Sequence, residues 1–157
     1  GIAPITALFG VHSVITIICF ANMATLGYDP IWPILHFGTV NAGVITLYYA
    51  LQRKNQDERA YALSAGITSL IFGITEPAVY GVMLKDKKNY AVSLLTSMII
   101  GGFSMALGVK ASSIGGMGVF AWPIYFKTIV PFFICYGLTY VVSIALCVLF
   151  KVGKDKQ

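Results

Sequence analysis

The most constraining feature of this 157-residue chain is a series of long apolar stretches separated by single charges or short charged segments. The stretches, bounded by charged residues, are 1–28, 30–52, 60–84, 89–109, 111–126 and 128–150. A membrane-spanning helix needs about 20 apolar residues. Only 11% of the residues are charged, whereas soluble domains average about 25%. The sequence therefore predicts an all-α polytopic membrane protein in which the lipid bilayer surrounds transmembrane helices.

The charged segments predict how the chain is oriented in the membrane. They are RKNQDER at 53–59, KDKK at 85–88 and KVGKDKQ at 151–157, and each carries more Lys and Arg than Asp and Glu. Basic loops favour the cytoplasm, so the C-terminus is expected on the cytoplasmic side. This pattern accounts for the net charge of +5 without a nucleic-acid partner.

The stretch 60–84 is flanked by basic segments at both ends, which predicts a re-entrant helical hairpin. A single crossing would place one basic segment outside the cell, contrary to the usual charge distribution. With about 12 residues per arm, each arm would reach about 18 Å, near the middle of the bilayer. The tip is expected between Gly73 and Pro77. Two further stretches are expected to be broken: 1–28, and 111–126 with its glycine-rich start.

Glu76 is the single charged residue inside the apolar stretches, and this position predicts a functional role. A carboxylate at bilayer depth costs a few kcal/mol and is tolerated mainly where it serves a substrate, a proton or a partner. The alternative is capping, in which Glu76 or Thr75 satisfies backbone amides of a half-helix that starts at Pro77. The two roles are compatible with each other.

The remaining polar residues give weaker indications. His12 fits a core histidine and a site residue equally well, whereas His36, near Trp32 and Pro33, favours a structural role. For Asn22 and Asn41 the sequence leaves two options open: a bond to a sugar hydroxyl or a contact between helices. The three cysteines are predicted to be buried thiols; they are Cys19, Cys135 and Cys147.

No motif in the sequence indicates a metal or a cofactor. There is no GxxxxGK[ST] phosphate-binding loop, no HExxH and no Cys/His cluster with metal-ligand spacing. An ATP-driven pump and a metalloprotease therefore have no support.

The decapeptide GITEPAVYGV at 73–82 resembles the GITEPA signature of enzyme IIC, the membrane permease of the bacterial phosphotransferase system. The segment Phe9-Gly10-Val11-His12 is similar to the histidine segment of that family, and the resemblance continues to Trp122-Pro123. It is strongest to the β-glucoside and sucrose branch of the glucose superfamily.

The resemblance implies a sugar permease in the bacterial inner membrane. Such a protein binds a glycoside or disaccharide from outside and presents it for phosphorylation by a phosphocysteine on enzyme IIB. Glu76 and His12 would then be catalytic residues at the sugar site, with Gly73, Ile74 and Thr75 as further substrate-binding residues. Re-entrant hairpins are part of the family's fold, in agreement with the hairpin predicted from charge.

The resemblance also implies that residues 1–157 are the C-terminal, substrate-binding part of an enzyme IIC membrane domain. The N-terminal part of enzyme IIC would form the homodimer, and the chain would be an enzyme only together with that part and with enzyme IIB. Two departures stand out: Ser13 follows His12 where the branch often has an aromatic residue, and no enzyme IIB phosphocysteine motif is present. Two alternatives remain: a non-catalytic truncated fragment or sensor, and an ion-coupled transporter with Glu76 as its proton site.

Overall fold

The computed structural model describes residues 12–153, with side chains from residue 14 onward. Its helices are α1 (His12–Leu26), α2 (Trp32–Gln52), α3 (Gln56–Phe72), α4 (Glu76–Ala78), α5 (Lys87–Ala106) and α6 (Ile129–Leu149). One turn of π-helix, Val79–Met83, continues α4, and a 3-10 segment, Val119–Thr128, leads into α6. The predicted all-α fold is confirmed.

Three helices in the described part of the chain are long and apolar enough to cross a membrane. They are Trp32–Gln52, Lys87–Ala106 and the combined 3-10 and α-helical run Val119–Leu149. The first is largely buried by its neighbours, whereas the last exposes most of its apolar surface. The chain is therefore a membrane protein whose central helix is α2.

A buried polar network joins α2 to both other membrane-spanning helices. The Asn41 side-chain amide donates to the Ser93 carbonyl at 3.0 Å and to the Ser97 hydroxyl at 3.2 Å. The Ser143 hydroxyl donates to Asn41 Oδ1 at 3.0 Å. Polar side chains commonly link helices in this way in an apolar environment. Of the two options for Asn41, the structure thus shows the contact between helices.

Two glycines let α2 and α3 cross at close range. A Cβ added at Gly43 would lie 2.6 Å from Leu70 Cγ, and one added at Gly66 would lie 2.7 Å from Leu47 Cγ. Small residues at a crossing allow helix backbones to approach in this manner. Farther along α3, the Ser69 hydroxyl donates to the Thr39 carbonyl at 3.0 Å, which holds the end of α3 against α2.

The predicted helical hairpin is present, but its two arms are unequal. The first arm, α3, has 17 residues, and the second has three α-helical and five π-helical residues, in place of about 12 in each. The longer arm begins inside the charged segment because Asn55 Oδ1 accepts from the Asp57 amide at 2.9 Å, which caps the helix. At about 25 Å, α3 is nearer the full 30 Å of a bilayer's hydrocarbon core than half of it.

The turn between α1 and α2 contains a fully buried carboxylate, Asp29. It accepts from Asn22 Nδ2 at 2.7 Å, from the Ile31 amide at 3.1 Å and from the Trp32 amide at 2.5 Å. Its bonds to the Ile31 and Trp32 amides fix the turn directly before α2, as Asp side chains commonly do. The expected break in stretch 1–28 does not occur within His12–Leu26, and residues 1–11 lie outside the described residues.

The segment between α5 and α6 is irregular, as the glycine-rich sequence predicts. Its backbone pairs with the α1–α2 turn through Asp29 and Ala111, at 2.9 and 2.8 Å. Deeper in the molecule, His36 Nδ1 lies 3.1 Å from the Tyr125 hydroxyl, and His36 and Phe132 are fully buried. This position of His36 in the core agrees with the structural role predicted for it. All three cysteines are buried, as predicted.

Candidate functional site

The hairpin tip, Gly73-Ile74-Thr75, connects α3 to the short arm that begins with Glu76. Gly73 takes a left-handed conformation with φ of +78°, and its amide donates to the Ser69 carbonyl at 3.0 Å. Glycine adopts this conformation without the steric cost that a Cβ adds. The chain thus reverses direction directly before Glu76.

The Glu76 side chain is not used for capping. Thr75 occupies the capping position without a side-chain hydrogen bond to the helix, and its carbonyl accepts from the Val79 amide at 2.9 Å. Glu76 is the first helical residue, its surface is exposed, and within residues 14–153 its carboxylate has no hydrogen-bond or ion-pair partner. A charged group left without local partners is available for a ligand.

A cavity of about 110 Å³ lies beside this carboxylate. It is lined by Thr39, Gly73, Thr75, Glu76, Val79, Tyr80 and Met117. The structure thus brings together Gly73, Thr75 and Glu76 from the predicted site. Ile74 is 49% exposed and does not line the cavity, so its role in binding stays a prediction.

The opposite wall comes from residues that the sequence did not single out. Thr39 belongs to α2, and its hydroxyl contacts Met117 Sδ at 3.6 Å. Met117 and Gly118 lie directly against the tip, because a Cβ at Gly73 would be 2.9 Å from the Gly118 nitrogen. The one sequence signal in this region is the glycine-rich start of 111–126, which predicts a broken segment but does not indicate what that segment packs against.

His12, the second predicted catalytic residue, begins α1, and its side chain lies outside the described residues. Its proximity to Glu76 therefore remains a prediction. Among residues whose side chains are described, no group of three His, Cys, Asp or Glu residues could hold a metal ion.

The size of the cavity limits what the described residues can bind on their own. Pockets for small molecules usually measure about 300–1,000 Å³, several times the 110 Å³ found here. The cavity between the hairpin tip, Thr39 and Met117 is thus suited to be one part of a larger site.

Comparison with known proteins gives relatives that are components of PTS systems. The chain is 30% identical over 116 residues to the PTS system beta-glucoside-specific EIIBCA component of Bacillus subtilis, covering 74% of this chain and 19% of that protein. It is 31% identical over 140 residues to the PTS system sucrose-specific EIIBCA component of Pediococcus pentosaceus, covering 88% and 21%. It is 36% identical over 110 residues to the PTS system glucose-specific EIIBCA component of Corynebacterium glutamicum, covering 66% and 16%.

The chain spans roughly a fifth of the length of these relatives. No protein-family model and no solved structure matches it. The relatives are named for β-glucosides, sucrose and glucose alike, so the comparison does not separate the branches of the glucose superfamily.

Proposed function

The chain belongs to the enzyme IIC family of the phosphotransferase system, and from this we propose that it is the substrate-binding part of a sugar permease. It binds a glycoside or disaccharide and presents it for phosphorylation by enzyme IIB during uptake. The observation that carries the proposal is the Glu76 carboxylate, which lies without a partner among the described residues at the hairpin tip beside a cavity.

A carboxylate in this position suits phosphoryl transfer to a sugar. The sugar hydroxyl attacks the phosphorus of the phosphocysteine, the S–P bond breaks, and the cysteine leaves as a thiolate. The hydroxyl proton needs an acceptor, and Glu76 supplies one as a general base. Most of the remaining catalysis is positioning and charge stabilisation, for which Thr75 and the predicted partner His12 provide polar groups.

We place the basic segments 53–59, 85–88 and 151–157, and so the C-terminus, on the cytoplasmic side of a bacterial inner membrane. The hairpin then enters from the side on which enzyme IIB works. Residues 1–157 form the C-terminal part of the enzyme IIC domain, and the N-terminal part completes the sugar site and forms the homodimer. The small size of the cavity supports a site that needs more than the described residues.

The test uses membranes that contain the intact permease with this segment, supplied with phosphorylated enzyme IIB and radiolabelled β-glucoside, sucrose, trehalose or glucose. Glu76→Gln is compared with Glu58→Gln, a control at the cytoplasmic end of α3 whose carboxylate pairs with Arg53 Nε at 3.5 Å. We expect Glu76→Gln to lower sugar phosphate formation by about 100-fold or more, and Glu58→Gln to leave it unchanged.

The other outcomes would indicate a different role for Glu76 or a different function for the chain. Equal phosphorylation in Glu76→Gln and native membranes would remove Glu76 from catalysis. Uptake of unmodified sugar together with protons would indicate the ion-coupled transporter. A native protein that neither binds nor phosphorylates any sugar of the panel would indicate the non-catalytic fragment.

A further inference from the structure

A tyrosine on the long arm binds the short arm that carries Glu76. Tyr61 lies on α3, and its hydroxyl donates to the Pro77 carbonyl at 3.3 Å. Pro77 directly follows Glu76 in the chain. A side chain of the first arm thus holds the backbone of the second arm next to the carboxylate.

The tyrosine ring also rests on the backbone of this arm. A Cβ added at Gly81 would lie 2.6 Å from Tyr61 Cζ and would collide with other ring atoms as well. The absence of a side chain at Gly81 is therefore what admits the ring. The Lys85 ammonium, 5.9 Å from the ring centroid, lies close enough for a cation–π attraction.

The arm needs such support because it has little stability of its own. Its α-helical part is three residues long, and the following turn is a π-helix in which the Leu84 amide donates to the Val79 carbonyl at 3.0 Å. Isolated helices shorter than about 12–15 residues are marginal in water, and in proteins most of their stability comes from tertiary packing. Turns of π-helix are frequent at functional sites.

We propose that Tyr61 is a positioning residue that fixes Glu76 for phosphoryl transfer by binding the Pro77 carbonyl and packing on Gly81. This inference rests on the proposed function, because it concerns the same carboxylate. Tyr61 is 47% exposed, so loss of its hydroxyl opens no cavity in the core. Tyr61→Phe should therefore fold normally and lose one hydrogen bond.

The first experiment measures the arm directly, by hydrogen–deuterium exchange of the purified intact permease. Tyr61→Phe should raise the exchange rate of the amides in 76–84 about fivefold, the change expected from one lost hydrogen bond. The control is Tyr48→Phe, because the partly buried Tyr48 hydroxyl has no hydrogen-bond partner in the described structure. Amides of α5 should exchange at the native rate in both variants.

The second experiment measures sugar phosphorylation in the same variants and in Glu76→Gln. We expect Tyr61→Phe to lower kcat about fivefold, with the KM for sugar within twofold of native, and Tyr48→Phe to match native. Unchanged exchange in 76–84 would overturn the attachment, and faster exchange with native kcat would overturn the positioning role. If Glu76→Gln phosphorylates normally, Glu76 is not catalytic and Tyr61 has no positioning role; if the native permease phosphorylates no sugar, the proposed function itself fails, whatever exchange shows for Tyr61.

Discussion

Gly73 and Gly118 meet where the hairpin tip crosses the segment before the 3-10 helix. The contact is between backbones: a Cβ at Gly118 would overlap the Ile71 carbonyl, and one at Gly73 would be 2.9 Å from the Gly118 nitrogen. The sequence distance between the two glycines explains why this contact was not predicted. Composition shows that glycines permit close approach, but it does not show which segments approach.

Gly118→Ala should therefore destabilise the tip. We expect it to lower the free energy of unfolding by about 1–3 kcal/mol, the usual range for overpacking, and to reduce sugar phosphorylation because the tip carries Glu76. The measurement is thermal unfolding of the permease in detergent together with the phosphorylation assay. Gly116→Ala is the matched control, since a Cβ there meets nothing within 4 Å. Equal stability of the two variants would contradict the close contact.

At the scale of elements, the existence and the tip of the hairpin were predicted correctly, but the lengths of its two arms were not. Basic flanks and the breaker around Gly73 predicted its existence and its tip. The sequence interpretation treated 53–59 as a loop and missed that Asn55 caps a helix inside it. Asp29 was missed for a similar reason, because a turn residue next to Pro30 gives no sign that the fold buries it.

The network around Asn41 gives a prediction about how helices are joined. Asn41→Ala leaves the hydroxyls of Ser93, Ser97 and Ser143 without their shared partner in a buried region. We expect a loss of about 1–3 kcal/mol in unfolding free energy. Ser143→Ala, which removes one bond of the network, should cost less. Unfolding in detergent measures both variants, and a Ser143→Ala effect as large as that of Asn41→Ala would contradict the central role of Asn41.

At the scale of the whole molecule, the membrane class followed directly from apolar length and scarce charge. The site did not, because its walls come from α2, the hairpin and the segment before the 3-10 helix. The local sequence identified one wall of the site, the GITEP tip. Thr39 and Met117 line the cavity because tertiary packing brings their segments to the tip. A contact between residues 39 and 117 has no signature in either segment.

The orientation proposed above predicts the sidedness of two exposed positions. A cysteine introduced as Lys85→Cys should react with a membrane-impermeant thiol reagent only from the cytoplasmic side. Ser113→Cys, in the irregular segment at the other end of α5, should react only from outside. Both residues are exposed, and the native cysteines in the described structure are buried. Labelling of both positions from the same side would refute the orientation.

The Gly43–Gly66 crossing has a mechanical consequence. Gly66 lies about 15 Å along α3 from Gln56 and about 9 Å from Phe72, and Leu70 and Leu47 pack on the two glycines at the crossing. Were α3 to turn about this crossing as a rigid rod, its Asn55 end would be the long arm of a lever and its Glu76 end the short arm. A rigid α3 that turns about this point moves its tip by about three-fifths of the displacement at its charged end. Such a turn would strain the Ser69–Thr39 hydrogen bond beyond the crossing, and this bond therefore resists movement of the carboxylate when a force acts near residues 53–59.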